Sequence, residues 1–378
     1  MKYDKFFSAD VPSFMRSPVR EIFKKVDLSA IYSFAGGYPD AATFPIEDIR
    51  RISAQVLEKY GAKALQYGAT QGVPELREVI ARRYGVPVEN VQITTSSQQG
   101  IDVCTRVFVD PGDVILTTAP TYLGALQSFK SYRAAVRTLG TGDALPPDRR
   151  IKFCYVIPDF QNPSGETMTL EERKKLVAMA REQDFLIVED SPYRELRYSG
   201  EPVPTIYSLA PERTIHLGSF SKIFAPGFRL GWMLGPVELL DQIYVCKQSL
   251  DLCPPILDQY MAAEFMGSGA LDANLQKSIA LYRTKRDKML SLLEQYMPQG
   301  VSWTHPEGGL FLFLNLPDGF DTVALYDRAL SAGVAYVAGS FFYPDGSHRN
   351  TMRLNFSFLD ASRMEAGIKL LAEVINQK

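Results

Sequence analysis

Phe185-Leu-Ile-Val188 is apolar at every position and runs without transition into Glu189-Asp190. A strand with one face in water alternates; an unbroken run is what a parallel strand needs when helices cover both its faces. A helical stretch, about Leu170 to Gln183, precedes it. Val91-Gln-Ile-Thr, Val114-Ile-Leu-Thr, Phe153-Cys-Tyr-Val-Ile and Leu230 to Leu234 are further short strands, and Ile49, Ile52, Val56 and Leu57 recur at helical spacing. Strands alternating with helices predict an α/β fold with a mostly parallel central sheet. Ligands of such sheets gather at the C-terminal strand ends. Polar turns stand there: Ser96-Ser97-Gln98, Ala119-Pro-Thr-Tyr122, Gln161-Asn162-Pro163-Ser-Gly165 and Asp190-Ser-Pro-Tyr193.

The most specific local pattern is Ser219-Phe-Ser-Lys222-Ile-Phe-Ala-Pro226-Gly227-Phe-Arg229-Leu-Gly231. Pro226 and Gly227 break both helix and strand, so Lys222 is held in a loop where Ser219, Ser221 and Arg229 can converge on an anion. An amine in a partly desolvated, cationic pocket loses its proton more easily and becomes a nucleophile. That points to a Schiff base with an aldehyde whose phosphate is the anion; a surface loop with an ordinary lysine is the plain alternative. Where Val91-Gln-Ile-Thr runs into a helix, Ser96, Ser97 and Gln98 offer backbone N–H groups and the positive end of the dipole, as a phosphate cup or as a simple cap. A carboxylate at the tip of a buried strand, as at Asp190, needs a cation or donors unless it caps a helix. Gly36-Gly37 leave the backbone bare, for a turn or for a ligand.

These motifs occur in order from about Ser33 to Phe356, and together they resemble the fold-type I, pyridoxal-phosphate-dependent class I/II aminotransferases, most of all the group with 2-aminoadipate and kynurenine aminotransferases. The resemblance implies a large cofactor-binding domain at 46–270, a smaller α+β domain at 271–378, and an N-terminal segment, 1–45, packed with the smaller one. It implies that Lys222 binds the aldehyde and carries the proton, that Asp190 meets the pyridine nitrogen, and that Asn162 and Tyr193 meet the phenolic oxygen. Tyr122 would stack on the ring. Ser97, Gln98, Ser219, Ser221 and Arg229 would surround the phosphate, with Tyr67 reaching in from the other subunit of a homodimer. Arg353 would clamp the substrate's α-carboxylate with its planar fork; Gly37 and Asn162 would also face the substrate, and Arg20 its distal end. The implied reaction moves an amino group between an L-amino acid (2-aminoadipate, aromatic, or of broad choice) and a 2-oxo acid such as 2-oxoglutarate. Phe14, Tyr38 and Tyr122 leave an aromatic or broad pocket open. On the same fold a lyase or another non-transaminating pyridoxal-phosphate enzyme is the alternative, and outside catalysis an effector-binding regulator or a non-catalytic binding protein.

Composition narrows the partners. Lys plus Arg number 41 against 43 Asp plus Glu in 378 residues, so no basic surface for nucleic acid is expected. No apolar run reaches the length of a membrane span, and Met1-Lys-Tyr-Asp-Lys-Phe-Phe lacks the apolar core of a signal peptide, so the expected location is cytoplasmic. The four cysteines show no metal-type spacing. Leu139 to Arg150 is rich in Gly, Pro and Asp and is expected to be a trimmed surface connection; Leu271 to Tyr296 is expected to be a long linking helix, and Val334-Ala-Tyr-Val one strand.

Overall fold

The computed structural model describes residues 3–8, 11, 30–140 and 150–377. Phe14, Arg20 and most of the Leu139–Arg150 connection lie outside these residues.

A two-residue strand, β1 (Tyr32–Ser33), precedes a seven-stranded sheet built from β2 (Val91–Thr94), β3 (Val114–Thr117), β4 (Ala135–Thr138), β5 (Ile151–Val156), β6 (Leu186–Asp190), β7 (Thr214–Ser219) and β8 (Gly231–Leu234). Their spatial order is β2-β8-β7-β6-β5-β3-β4. Every pairing is parallel except those of β8, which runs against both neighbours. The unbroken apolar runs have their predicted cause. On one face Val188, Ile215 and Leu217 pack against Ile101 and Cys104 of the Ser96–Phe108 helix. On the other, Ile187, Cys154 and Val156 pack against Leu176, Val177 and Ala180 of the Leu170–Glu182 helix. Each buried Val, Leu or Ile among them contributes about 1.5–3 kcal/mol by leaving water. The second helix starts at a capping box between Thr169 and Glu172, which satisfies two N–H groups that have no partner within the helix.

A second sheet, ordered β12-β13-β10-β9, comprises β9 (Ser302–Trp303), β10 (Phe311–Asn315), β12 (Val337–Ala338) and β13 (Thr351–Asn355), while β11 (Val334–Ala335) pairs in parallel with β1. The single strand expected over Val334-Ala-Tyr-Val is therefore two strands in two sheets. The break falls at Tyr336, whose buried hydroxyl needs an acceptor and donates to Thr322 O at 2.6 Å. The long helix spans Ala270–Tyr296. Its Tyr282 hydroxyl accepts from Asp40 N, and its Lys285 ion-pairs with Asp40 and donates to Ser357 O and Leu359 O at 2.8 and 2.9 Å. The helix thus fixes the chain that follows Gly36-Gly37. No helix among the described residues is long and apolar enough to cross a membrane.

Candidate active site

The C-terminal ends of the parallel strands, roofed by β10 and β13, enclose a cavity of about 760 Å³. Three adjacent strands set one end of it. The register places Gly231 of β8 between Thr94 of β2 and Ser219 of β7. A Cβ on Gly231 would lie 2.8 Å from both the Ser96 carbonyl carbon and the Ser97 nitrogen, so only glycine lets the helix start come this close. Ser96 takes a left-handed φ of 67°, and its Oγ accepts from Arg229 Nη2 at 2.8 Å. Arg229, itself left-handed at φ 51° after the Pro226–Phe228 turn, is thereby aimed across the helix N-terminus. Ser97, Ser219, Ser221 and Arg229 all line this end of the cavity. Gln98 lines it too, and its side chain is held by Tyr122, whose hydroxyl donates to Oε1 at 3.1 Å, and by Gly124 O.

Lys222 lies in the turn after β7 and donates from Nζ to Gly37 O at 2.7 Å. Burial, reinforced by Arg353 and Arg229, lowers its amine to about 8, the state of a usable nucleophile and base. Two successive carboxylates close β6 with opposite fates. Glu189 is buried, yet His216 and the N–H groups of Ile206 and Tyr207 hold its carboxyl below the usual range. Asp190 faces the cavity with Tyr155 donating to its Oδ2 at 2.7 Å, and burial raises it to about 6. Its Oδ1 is buried without a hydrogen-bond partner among the described residues.

Arg353 reaches the cavity from β13. Its guanidinium lies 4.2 Å from the Phe311 ring centre and 5.1 Å from that of Phe342, and it donates to Asn162 Oδ1 at 2.8 Å and to Ala35 O at 2.6 Å. Burial lowers it to about 10, and its Nε has no partner among the described residues. A fork so oriented and short of acceptors suits a carboxylate. Tyr193, its hydroxyl pushed up by burial, packs edge-on against Phe311.

The structure thus gathers Lys222, Asp190, Tyr193, Asn162, Tyr122 and Gly37 with Ser97, Gln98, Ser219, Ser221, Arg229 and Arg353 on one cavity. Tyr67 is apart: it is 79% exposed and lines no part of the cavity. Arg20 lies outside the described residues. Tyr155, Phe311 and Phe342 escaped the sequence reading. Tyr155 left a signal, a hydroxyl in a doubly covered strand that must find an acceptor; the two phenylalanines left none.

The residues fit pyridoxal phosphate on their own terms. A cup of hydroxyls, a helix start and an arginine suits a phosphate, the Asp190 oxygen without a partner suits a protonated ring nitrogen, and a desolvated lysine suits an aldehyde. Comparison with known proteins agrees. Residues 34–371 match the family model for aminotransferase class I and II. The aromatic-amino-acid aminotransferase 1 of Thermococcus litoralis is 43% identical, with all of this chain and 96% of that one aligned. The 2-aminoadipate transaminase of Thermus thermophilus is 35% identical over 99% of this chain and 98% of its own. The crystal structure of Pyrococcus horikoshii kynurenine aminotransferase in complex with PMP superposes with a TM-score of 0.94 at 43% identity, covering 99% of this chain and 98% of that one. The chain belongs to the class I and II aminotransferase family, and is a pyridoxal-phosphate-dependent transferase of amino groups.

Proposed function

We propose that this cavity is the transamination site and that its residues divide the work. The observation that carries the reading is the meeting on one cavity of Asp190 at the end of β6, Lys222 after the neighbouring β7, and Arg353 from β13 far along the chain. Pyridoxal phosphate, when bound, supplies an aldehyde for amines and a ring that draws electrons from Cα. Ser97, Gln98, Ser219, Ser221 and Arg229 hold the phosphate, Asp190 keeps the ring nitrogen protonated, and Tyr122 covers the ring. Asn162 and Tyr193 face its phenolic oxygen. Arg353 binds the α-carboxylate of the amino acid, with the Gly37 backbone beside it, and orients Cα toward Lys222 Nζ, which takes the α-proton. Arg20 is the proposed contact for the substrate's far end.

The proposed substrates are an aromatic amino acid or 2-aminoadipate with 2-oxoglutarate as acceptor; mixing the enzyme with single amino acids and following the cofactor's visible spectrum identifies the donor. Lyase chemistry would proceed without a 2-oxo acid. Lys222→Ala is expected to abolish turnover and the borohydride-stable attachment of cofactor to the chain seen by mass spectrometry; normal turnover, or attachment at another lysine, overturns the assignment.

The same reading divides the chain into a large unit at 46–270 and a small one at 271–378 joined by segment 1–45. The pairing of β1 with β11 and the confinement of the large sheet to 91–234 support this division. A homodimer with Tyr67 directed at the partner's phosphate accounts for an exposed tyrosine beside an exposed Leu65. A cytoplasmic location is in keeping with four free cysteines and is checked by fractionation.

A further inference from the structure

We propose that Asp251, clamped by the buried Lys247, is a positioning residue that keeps the start of the Ser96–Phe108 helix open for the cofactor's phosphate. The proposal rests on the phosphate lying at that helix start.

Thr95 occupies the N-cap position of this helix. A threonine there ordinarily turns its hydroxyl onto the N–H groups of the first turn, the same groups that an anion would need. Thr95 makes no such bond. Its hydroxyl donates instead to Asp251 Oδ2 at 2.8 Å, and that oxygen also accepts from Gln99 Nε2 at 2.5 Å. Gln99 Oε1 in turn accepts from Thr95 N at 2.8 Å. Behind both stands Lys247, fully buried, with Nζ 3.1 Å from Gln99 Oε1 and 3.2 Å from Asp251 Oδ1. A buried ammonium is tolerated only with such partners, so Lys247 holds the carboxylate in place as much as the carboxylate holds it. The group joins the end of the Val237–Gln248 helix and the turn after it to the cup. None of Thr95, Gln99, Lys247 and Asp251 lines the cavity, so their influence on the cofactor passes through the Ser96–Ser97 backbone.

Without Asp251 the Thr95 hydroxyl is free to swing onto the first-turn N–H groups and compete with the phosphate. Affinities of the full-length, cofactor-stripped chain for pyridoxal phosphate and for phosphate-free pyridoxal test this. Asp251→Ala is expected to weaken pyridoxal phosphate by roughly tenfold, the worth of a hydrogen bond to a charged group, and to leave pyridoxal unchanged. Adding Thr95→Val to Asp251→Ala removes the competing hydroxyl and is expected to restore affinity, which a merely structural role for Asp251 would not produce. Unchanged affinity in Asp251→Ala, equal loss for both ligands, or no recovery in the double variant overturns the proposal. Should Asp251→Ala fail to fold, Asp251→Asn, which keeps the shape and drops the charge, is read in the same way. Arg229→Ala separates the layers: if it removes the preference for the phosphorylated ligand while Asp251→Ala keeps it, only the positioning role falls. If neither variant changes that preference, the phosphate does not bind here and the site reading falls as well.

Discussion

Asp190 and Arg353 show what the site costs the folded chain. Asp190 has an ordinary carboxyl when unfolded and one raised to about 6 when folded, because burial disfavours its charge. Between about pH 4 and pH 6 the folded state holds the extra proton, so this residue's contribution to stability falls as pH rises through that window and stays low above it. A shift of this size amounts to about 3 kcal/mol at most. Asp190→Asn is therefore expected to raise the stability of the cofactor-free protein at pH 8 and to change it little at pH 4, while turnover drops steeply. Urea unfolding at the two pH values checks this, and equal effects at both would refute the cause given. At Arg353 the predicted loss is one of geometry. Lysine keeps the charge but neither the fork nor the stacking between Phe311 and Phe342, so Arg353→Lys should lower kcat/KM by roughly 2–3 kcal/mol, mostly through KM for the amino acid.

Among the elements, those with a pattern of their own were legible. The Leu186–Asp190 strand and the Leu170–Glu182 helix lie within two residues of where apolar runs and spacing put them. Most of the residues expected at the site line one cavity because strand ends are fixed points of a parallel sheet, so polar tips on neighbouring strands must meet. What stayed hidden depends on tertiary context. Strand β4 is only half-buried at the sheet edge and has no unbroken apolar run to reveal it. The Leu123–Ser131 helix starts at Tyr122 without a side-chain cap, and the split at Tyr336 turns on an acceptor 14 residues away. The turn formed where β2, β8 and β7 lie side by side carries its own prediction. Gly231→Ala should force the Ser96–Ser97 backbone away from Arg229, weakening cofactor affinity by about tenfold or more and costing about 1–3 kcal/mol of stability. Cofactor titration and thermal melting measure the two effects, and wild-type values in both would show that the close approach is not needed.

For the whole molecule, the exposed Tyr67 makes the assembly testable. If it serves a partner's site, sedimentation should find a dimer, and Tyr67→Phe should weaken cofactor retention while the dimer persists; a fully active monomer would contradict the composite site. A different consequence lies in the bonds from Arg353 to Asn162 and to Ala35, which span 191 and 318 residues. During translation Lys222, the residues proposed to hold the phosphate and the Asp190 carboxylate all leave the ribosome well before the Arg353 guanidinium. On the proposed roles, a nascent chain halted shortly before Arg353 would carry most of the chemistry and lack the grip on substrate, so competence would arrive only with the last strand of the second sheet, and the growing polypeptide must keep its apolar faces from straying until then.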